Sequence, residues 1–312
     1  MAASSPAEVP PLGKYLASSE KKTRDKAVKN LAVFLSNDEN NVMSDVEMAK
    51  LWKGIFYCNT AGFWMSDKPL VQQALAQELA ELVLTITNVP SSLNFLKGFW
   101  TTTVREWSGI DRLRMDKYYM LVRRFVNASF RLLIRAEWEE SAMQEYHSIL
   151  TNAGGPLCPA DIRVPASLTF HLAEIYLEEL DKALASSESS LPVPLLALLS
   201  PFITLAAHTP TNTTYKHLQD AMFEPLLTAL RPRTSNLRKR ARVSESPFEN
   251  IMSNACTDTP KKGGAMEAGA LREAVLQKLF DIASAEDTRD ANRRKMYALY
   301  KNAEDDDEDS AG

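Results

Sequence analysis

From Lys22 to Leu230 apolar residues recur at three- and four-residue intervals, and no strict alternation lasts long enough to argue for a sheet. The pattern predicts an all-α chain. Ser44 and Glu47 form an S-x-x-E capping box ahead of Val46, Leu51, Ile55 and Phe56. Asp67 and Pro69 open a helix whose Leu75, Leu79, Leu82, Val83 and Ile86 make one stripe. Ser91 or Ser92 is the expected cap of the next helix, and Asp111 that of a long one reaching about Arg135. Further helices are expected near 138–151, 165–184, 193–207 and 213–230. Many helices joined by short connections favour a HEAT-like helical-repeat solenoid over a closed bundle. No repeat is visible in the sequence, so that architecture rests on helix spacing alone.

The pattern also divides the chain. Residues 1–13 read as a disordered N-terminus and 14–230 as the helical solenoid. Residues 231–264, rich in Pro, Ser, Thr, Asn and Arg, read as a basic, disordered linker. Helical periodicity returns in 265–303, too short to make a core alone and therefore expected to pack back on the solenoid. Residues 304–312 form an acidic tail.

Composition narrows the chemistry. The 45% of hydrophobic residues suffices for a sizeable core, while only 11 glycines among 312 residues lower the prior for folds built on phosphate loops. Three cysteines at 58, 158 and 256 offer neither a disulfide framework nor a CxxC pair. The amino terminus lacks the basic cluster and apolar core of a secretory signal, so an intracellular protein is expected. The uncharged stretch from Ser189 to Tyr215 contains Pro192, Pro194 and Pro201 and is expected to be a buried helix rather than a membrane span. The five tryptophans, at 52, 64, 100, 107 and 138, are expected in the core.

No nucleotide-binding, zinc-protease, serine-hydrolase or EF-hand motif is present, and the four histidines are scattered. No catalytic residue, metal site or cofactor is assigned, and no small-molecule substrate or membrane partner is expected. The net charge of −4 hides local clusters, since the six acidic residues Glu304–Asp309 removed leave 36 positive against 34 negative residues. Lys117, Arg124, Arg131 and Arg135 are spaced 7, 7 and 4, which aligns them along one side of a helix opposite Tyr118, Leu121, Phe125 and Leu132. That ridge suits RNA phosphates. Glu174, Glu178 and Asp181, at i, i+4 and i+7, form an acidic stripe that could dock a basic partner. Arg238, Lys239, Arg240 and Arg242, in LRKRAR, have the composition of a nuclear import signal, with an import receptor as the implied partner.

Four blocks then carry a resemblance: LWKGIFYC at 51–58, WMSDKPLVQQALAQELA at 64–80, EWSGIDRLRMDKYYMLVRRF at 106–125 and LTFHLAEIYLEEL at 168–180. In order and spacing they resemble the Nop52 family, the eukaryotic ribosomal RNA-processing protein 1 group, across roughly residues 14–230. The chain departs from the family pattern where Asn59, Thr60, Ala61 and Gly62 intervene between the first two blocks. Ending soon after its acidic run, it resembles a fungal-type member without a long basic tail. The resemblance implies a nuclear, nucleolar and non-enzymatic factor of early pre-ribosomal particles. Such a factor would be required for ribosomal RNA processing and mainly large-subunit biogenesis, with pre-ribosomal RNA and assembly factors as partners. A protein-only helical-repeat adaptor in nuclear transport or regulation is the alternative.

Overall fold

The computed structural model describes residues 20–36, 43–57, 69–187, 189, 191–231, 247–258, 260 and 264–311. Its contacts cluster into two units, residues 1–128 and 129–312, with the division inside one helix. The first unit contains α1 (Lys21–Ser36), α2 (Asp45–Tyr57), α3 (Pro69–Thr85), α4 (Val89–Glu106), a short 3-10 turn (Trp107–Gly109) and the first part of α5 (Met115–Arg135). The fold class is all-α.

Local chemistry explains the helix starts. Ser44 and Glu47 close the expected capping box: the Glu47 amide donates to Ser44 Oγ at 3.4 Å, and the Ser44 amide donates to Glu47 Oε2 at 3.0 Å. Helix α4 is capped by Asn88 rather than by Ser91 or Ser92, because Asn88 Oδ1 accepts the Ser91 amide at 3.3 Å and Pro90 occupies the first turn. Ser92 is buried and donates back to the carbonyls of Ile86 and Asn88 instead. Asp111 caps a turn just ahead of α5, accepting the Arg114 amide at 3.1 Å and pairing with the Arg114 guanidinium.

The core of this unit is aromatic. Trp52 on α2 is fully buried, donates from Nε1 to the Phe95 carbonyl at 3.0 Å, and packs its ring against Phe95, Phe99 and Phe125. Phe99 and Phe125 stack with centroids 3.8 Å apart, joining α4 to α5. The approach of α2 to α4 requires Gly98, where a Cβ would collide with the Trp52 indole and the Met48 side chain. Trp52, Trp100, Trp107 and Trp138 are all buried, and Trp64 lies outside the described residues.

The second unit takes the remainder of α5 together with α6 (Glu140–Thr151), α7 (Ala166–Ala185), α8 (Leu195–His208), α9 (Asn212–Leu218), α10 (Glu224–Ala229), α11 (Glu249–Ser253), α12 (Ala268–Ser284) and α13 (Asp290–Ala311). Phe130 meets Tyr146 of α6 and Tyr176 of α7 edge-on, and Tyr176 in turn meets Phe202 of α8. Between α9 and α10 the helix widens into a π turn at Gln219–Phe223. Pro225 accounts for it, since proline cannot donate to a carbonyl four residues back and its ring pushes that carbonyl aside. The apolar stretch expected as a core helix is α8, with Pro201 inside it and most of its residues buried. Among the described residues no helix is long and apolar enough to cross a membrane.

One expectation fails within 231–264. Residues 247–258, assigned to the linker, are ordered: Ile251, Ala255 and Cys256 are buried, α11 packs on α7, and β2 (Ala255–Cys256) pairs in parallel with β1 (Val193–Pro194) in the register Val193↔Ala255. The segment escapes pattern reading because its few apolar residues sit in a polar context with neither helical nor strand periodicity over a useful window. Helices α12 and α13 pack on α8, and α13 continues through the acidic run as far as Ala311.

Polar side chains of the C-terminal helices then bond backbone carbonyls, several of them at helix ends that lack intrahelical partners. Arg272, buried in α12, donates to the carbonyls of Leu227 at 3.1 Å and Ala303 at 2.9 Å. Asn292 donates to Ala207 and Thr209 at the end of α8, and Arg293 to Ala283 and Ala285 at the end of α12.

Gly98→Ala tests the close approach of α2 and α4. Alanine is the better helix former by about 1 kcal/mol, yet overpacking against a fully buried Trp52 should cost about 1 to 3 kcal/mol. The variant is expected to unfold at lower denaturant concentration than the parent. An unchanged or raised midpoint would show that the two helices separate easily.

Candidate functional site

Helix α5 places the basic residues. Its apolar side, including Tyr118, Leu121, Phe125, Phe130 and Leu132, is buried, which turns the opposite side outward. Arg124 and Arg135 are exposed and Arg131 is half-buried, so these three keep the alignment read from their spacing. They span about 16 Å at ~1.5 Å per residue. Partial burial lowers the Arg135 pKa from the ordinary arginine value, and the guanidinium remains cationic at neutral pH.

Lys117 is different. It lies on the same line of the helix but is buried, with 6% of its surface exposed. A helical period fixes the direction of a side chain about the axis, not what covers that direction at each level. The accessible line is therefore Arg124, Arg131 and Arg135, shorter than the four-residue ridge expected from spacing.

The acidic stripe on α7 is also divided. Glu174 and Glu178 are exposed, and each has a partner within the chain: Glu174 Oε1 lies 3.1 Å from His217 Nε2, and Glu178 Oε1 accepts from Lys182 Nζ at 2.6 Å. Asp181 is engaged by the ordered part of the former linker. Its carboxylate accepts the Ile251 amide at 3.0 Å and Asn250 Nδ2 at 2.9 Å, serving the first-turn donors of α11. Sequence reading missed this because the two partners lie about 70 positions apart. The candidate import residues Arg238, Lys239, Arg240 and Arg242 lie outside the described residues, as do Cys58 and residues 59–62.

No comparable concentration of chemistry lies elsewhere among the described residues. No three of His, Cys, Asp and Glu are placed to hold a metal ion there. An open groove between α2 and the C-terminal end of α4 is lined by Asp45, Lys50, Lys53, Arg105 and Glu106 with Val46. Its charges are of both signs and three of them are paired, Asp45 with Lys97 and Glu106 with Arg105. Enclosure and convergent polar groups, the marks of a small-molecule site, are missing from it.

A line of arginines on an all-α scaffold leaves many functions open, and similarity to known families narrows them. The family model described as nucleolar protein, Nop52, matches residues 7–307. The chain belongs to the Nop52 family. Among curated relatives, this Nop52 chain is 32% identical to human ribosomal RNA processing protein 1 homolog B over 96% of its length, covering 43% of that protein. It is 30% identical to human ribosomal RNA processing protein 1 homolog A over 96% of its length, covering 71% of that protein. It is 25% identical to the ribosomal RNA processing protein 1 homolog of Dictyostelium discoideum over 92% of its length, covering 57% of that protein. The Nop52 chain thus spans less than half the length of human homolog B.

The role of Asp181 as an internal anchor leads to a specific expectation. Asp181→Ala leaves the Ile251 amide without its acceptor, and hydrogen bonds to charged groups are worth about 1.5 to 3 kcal/mol. Amide exchange in residues 249–256 should speed up by at least an order of magnitude, with the cores of α7 and α8 still protected. Unchanged exchange there would show that buried Ile251 and the β1–β2 pairing hold the segment alone.

Proposed function

We propose that the chain is a non-catalytic scaffold of early pre-ribosomal particles in the nucleolus, where it supports ribosomal RNA processing and mainly the maturation of the large subunit. The observation that carries this reading is the Nop52 match across residues 7–307, joined by relatives named for ribosomal RNA processing. Arg124, Arg131 and Arg135 supply a contact to RNA phosphates: planar guanidiniums along one helix face, at a spacing set by the helical period, suit a charged backbone read without base specificity. Assembly factors and pre-ribosomal RNA are the partners. Processing depends on the chain through correct assembly of the particle, with no cleavage step assigned to its side chains.

Charge reversal at Arg124 and Arg135 tests the RNA interaction. Because both side chains are exposed, the double variant should stay within about 0.5 kcal/mol of the parent stability per site. Its affinity for a single-stranded ribosomal RNA fragment should fall, and the slope of log affinity against log salt should become shallower by roughly 0.7 for each phosphate that is no longer neutralised. Lys117→Gln serves as the control, expected to change unfolding but not the slope. The RNA should be recovered intact in the presence of Mg²⁺. A slope unchanged by the double reversal would remove α5 as the RNA-binding face, and cleavage abolished by one carboxylate or histidine substitution would replace the scaffold by an enzyme.

A further inference from the structure

The seam where α12 and α13 meet carries three aromatic rings that the arginine line does not involve. The Phe280 ring centroid lies 5.2 Å from that of Tyr297 and 5.2 Å from that of Tyr300. Phe280 is exposed and both tyrosines are half-buried, so the cluster reaches the surface instead of closing into the core. A polar anchor holds one tyrosine: Tyr297 shares a 3.0 Å hydrogen bond with Ser284 Oγ. That bond limits the movement of the side chain before anything binds, which lowers the entropic cost of stacking a ligand on the cluster.

Charge around the rings selects the ligand. Ser284 meets Tyr297 near the connecting turn, and Arg272 donates to the Ala303 carbonyl farther out, so the two helices run antiparallel. On that register Glu273 and Glu304, each one residue past this bond and both exposed, stand at the far end of the aromatic seam, followed by exposed Asp305. Arg294 and Lys301 are the exposed cations on the same part of α13 and Lys278 is half-buried on α12, against exposed Glu273, Asp281, Glu304 and Asp305. The acidic part of the seam is its far end, at Glu273, Glu304 and Asp305. A guanidinium is favoured twice, since its plane stacks on aromatic faces and its fork matches a carboxylate.

We propose that the α12–α13 seam docks an arginine-bearing basic segment of a partner protein, with a guanidinium stacked on the Phe280 and Tyr300 rings and paired with Glu273 or Glu304. The site is separate from the RNA-binding arginines of α5 and is independent of that reading. It gives the chain a protein-docking surface of opposite charge to its proposed RNA face.

Fluorescence anisotropy with the full chain tests this, using three labelled probes: an Arg-Gly repeat peptide, the matched Lys-Gly peptide and oligouridine RNA. The Arg-Gly peptide should bind at least about threefold more tightly than the Lys-Gly peptide. Phe280→Ala and Tyr300→Leu should each weaken it about threefold to tenfold, the range of one cation–π interaction. The surface pair Glu273→Gln and Glu304→Gln should weaken it similarly with the melting temperature unchanged, which keeps the test decisive even if Phe280→Ala unfolds. Oligouridine binding should be indifferent to all four substitutions. Equal affinity for the two peptides together with indifference to the glutamate pair would reduce the effect to diffuse attraction by the acidic run and overturn the proposal. Loss of oligouridine binding in Tyr300→Leu would overturn it in favour of a base-stacking platform.

Discussion

Much of this architecture depends on the one-sidedness of α5. Phe125 stacks on Phe99 within the first unit, while Phe130, five residues on, packs edge-on against Tyr146 and Tyr176 within the second. Each pairing buries a large ring, and together they commit one face of a 21-residue helix to apolar surroundings. The arginines have no freedom to choose their side. Arg124, Arg131 and Arg135 are presented outward because turning them inward would expose Phe125 and Phe130 and bury uncompensated charge.

The same helix separates what sequence can disclose from what it cannot. Apolar spacing revealed the buried face of α5 and the direction of its basic residues, since both follow from a 3.6-residue period. Burial of Lys117 does not follow from that period, because it depends on neighbours brought over the first turns by tertiary packing. Helix starts were legible where a self-contained motif exists, as at Ser44 and Glu47. They were shifted where several candidates compete: Asn88 wins over Ser91 and Ser92 because Pro90 must occupy the first turn.

Residues 247–258 mark the other limit. Their order derives from Asp181, from Ile251 in the core and from the short pairing of Ala255 and Cys256 with Val193 and Pro194, all partners distant in sequence. A stripe read as a docking surface for a basic partner therefore has one of its carboxylates already occupied by backbone and amide donors of the same chain. The helix ends at Ala207, Leu227 and Ala283 follow the same pattern, since Asn292, Arg272 and Arg293 reach them from the C-terminal helices. These polar ties position α12 and α13, and with them the aromatic seam, by directional bonds added to apolar burial.

The central claim is that this Nop52-family chain works inside pre-ribosomal particles as a scaffold. Its most direct measurement is affinity purification of the tagged chain from cells, followed by sedimentation and sequencing of the RNA that travels with it. A scaffold should co-migrate with large particles and enrich ribosomal RNA precursors over mature ribosomal RNA. Recovery of the chain only in light, RNA-free fractions with other proteins would contradict that claim and favour a protein-only adaptor.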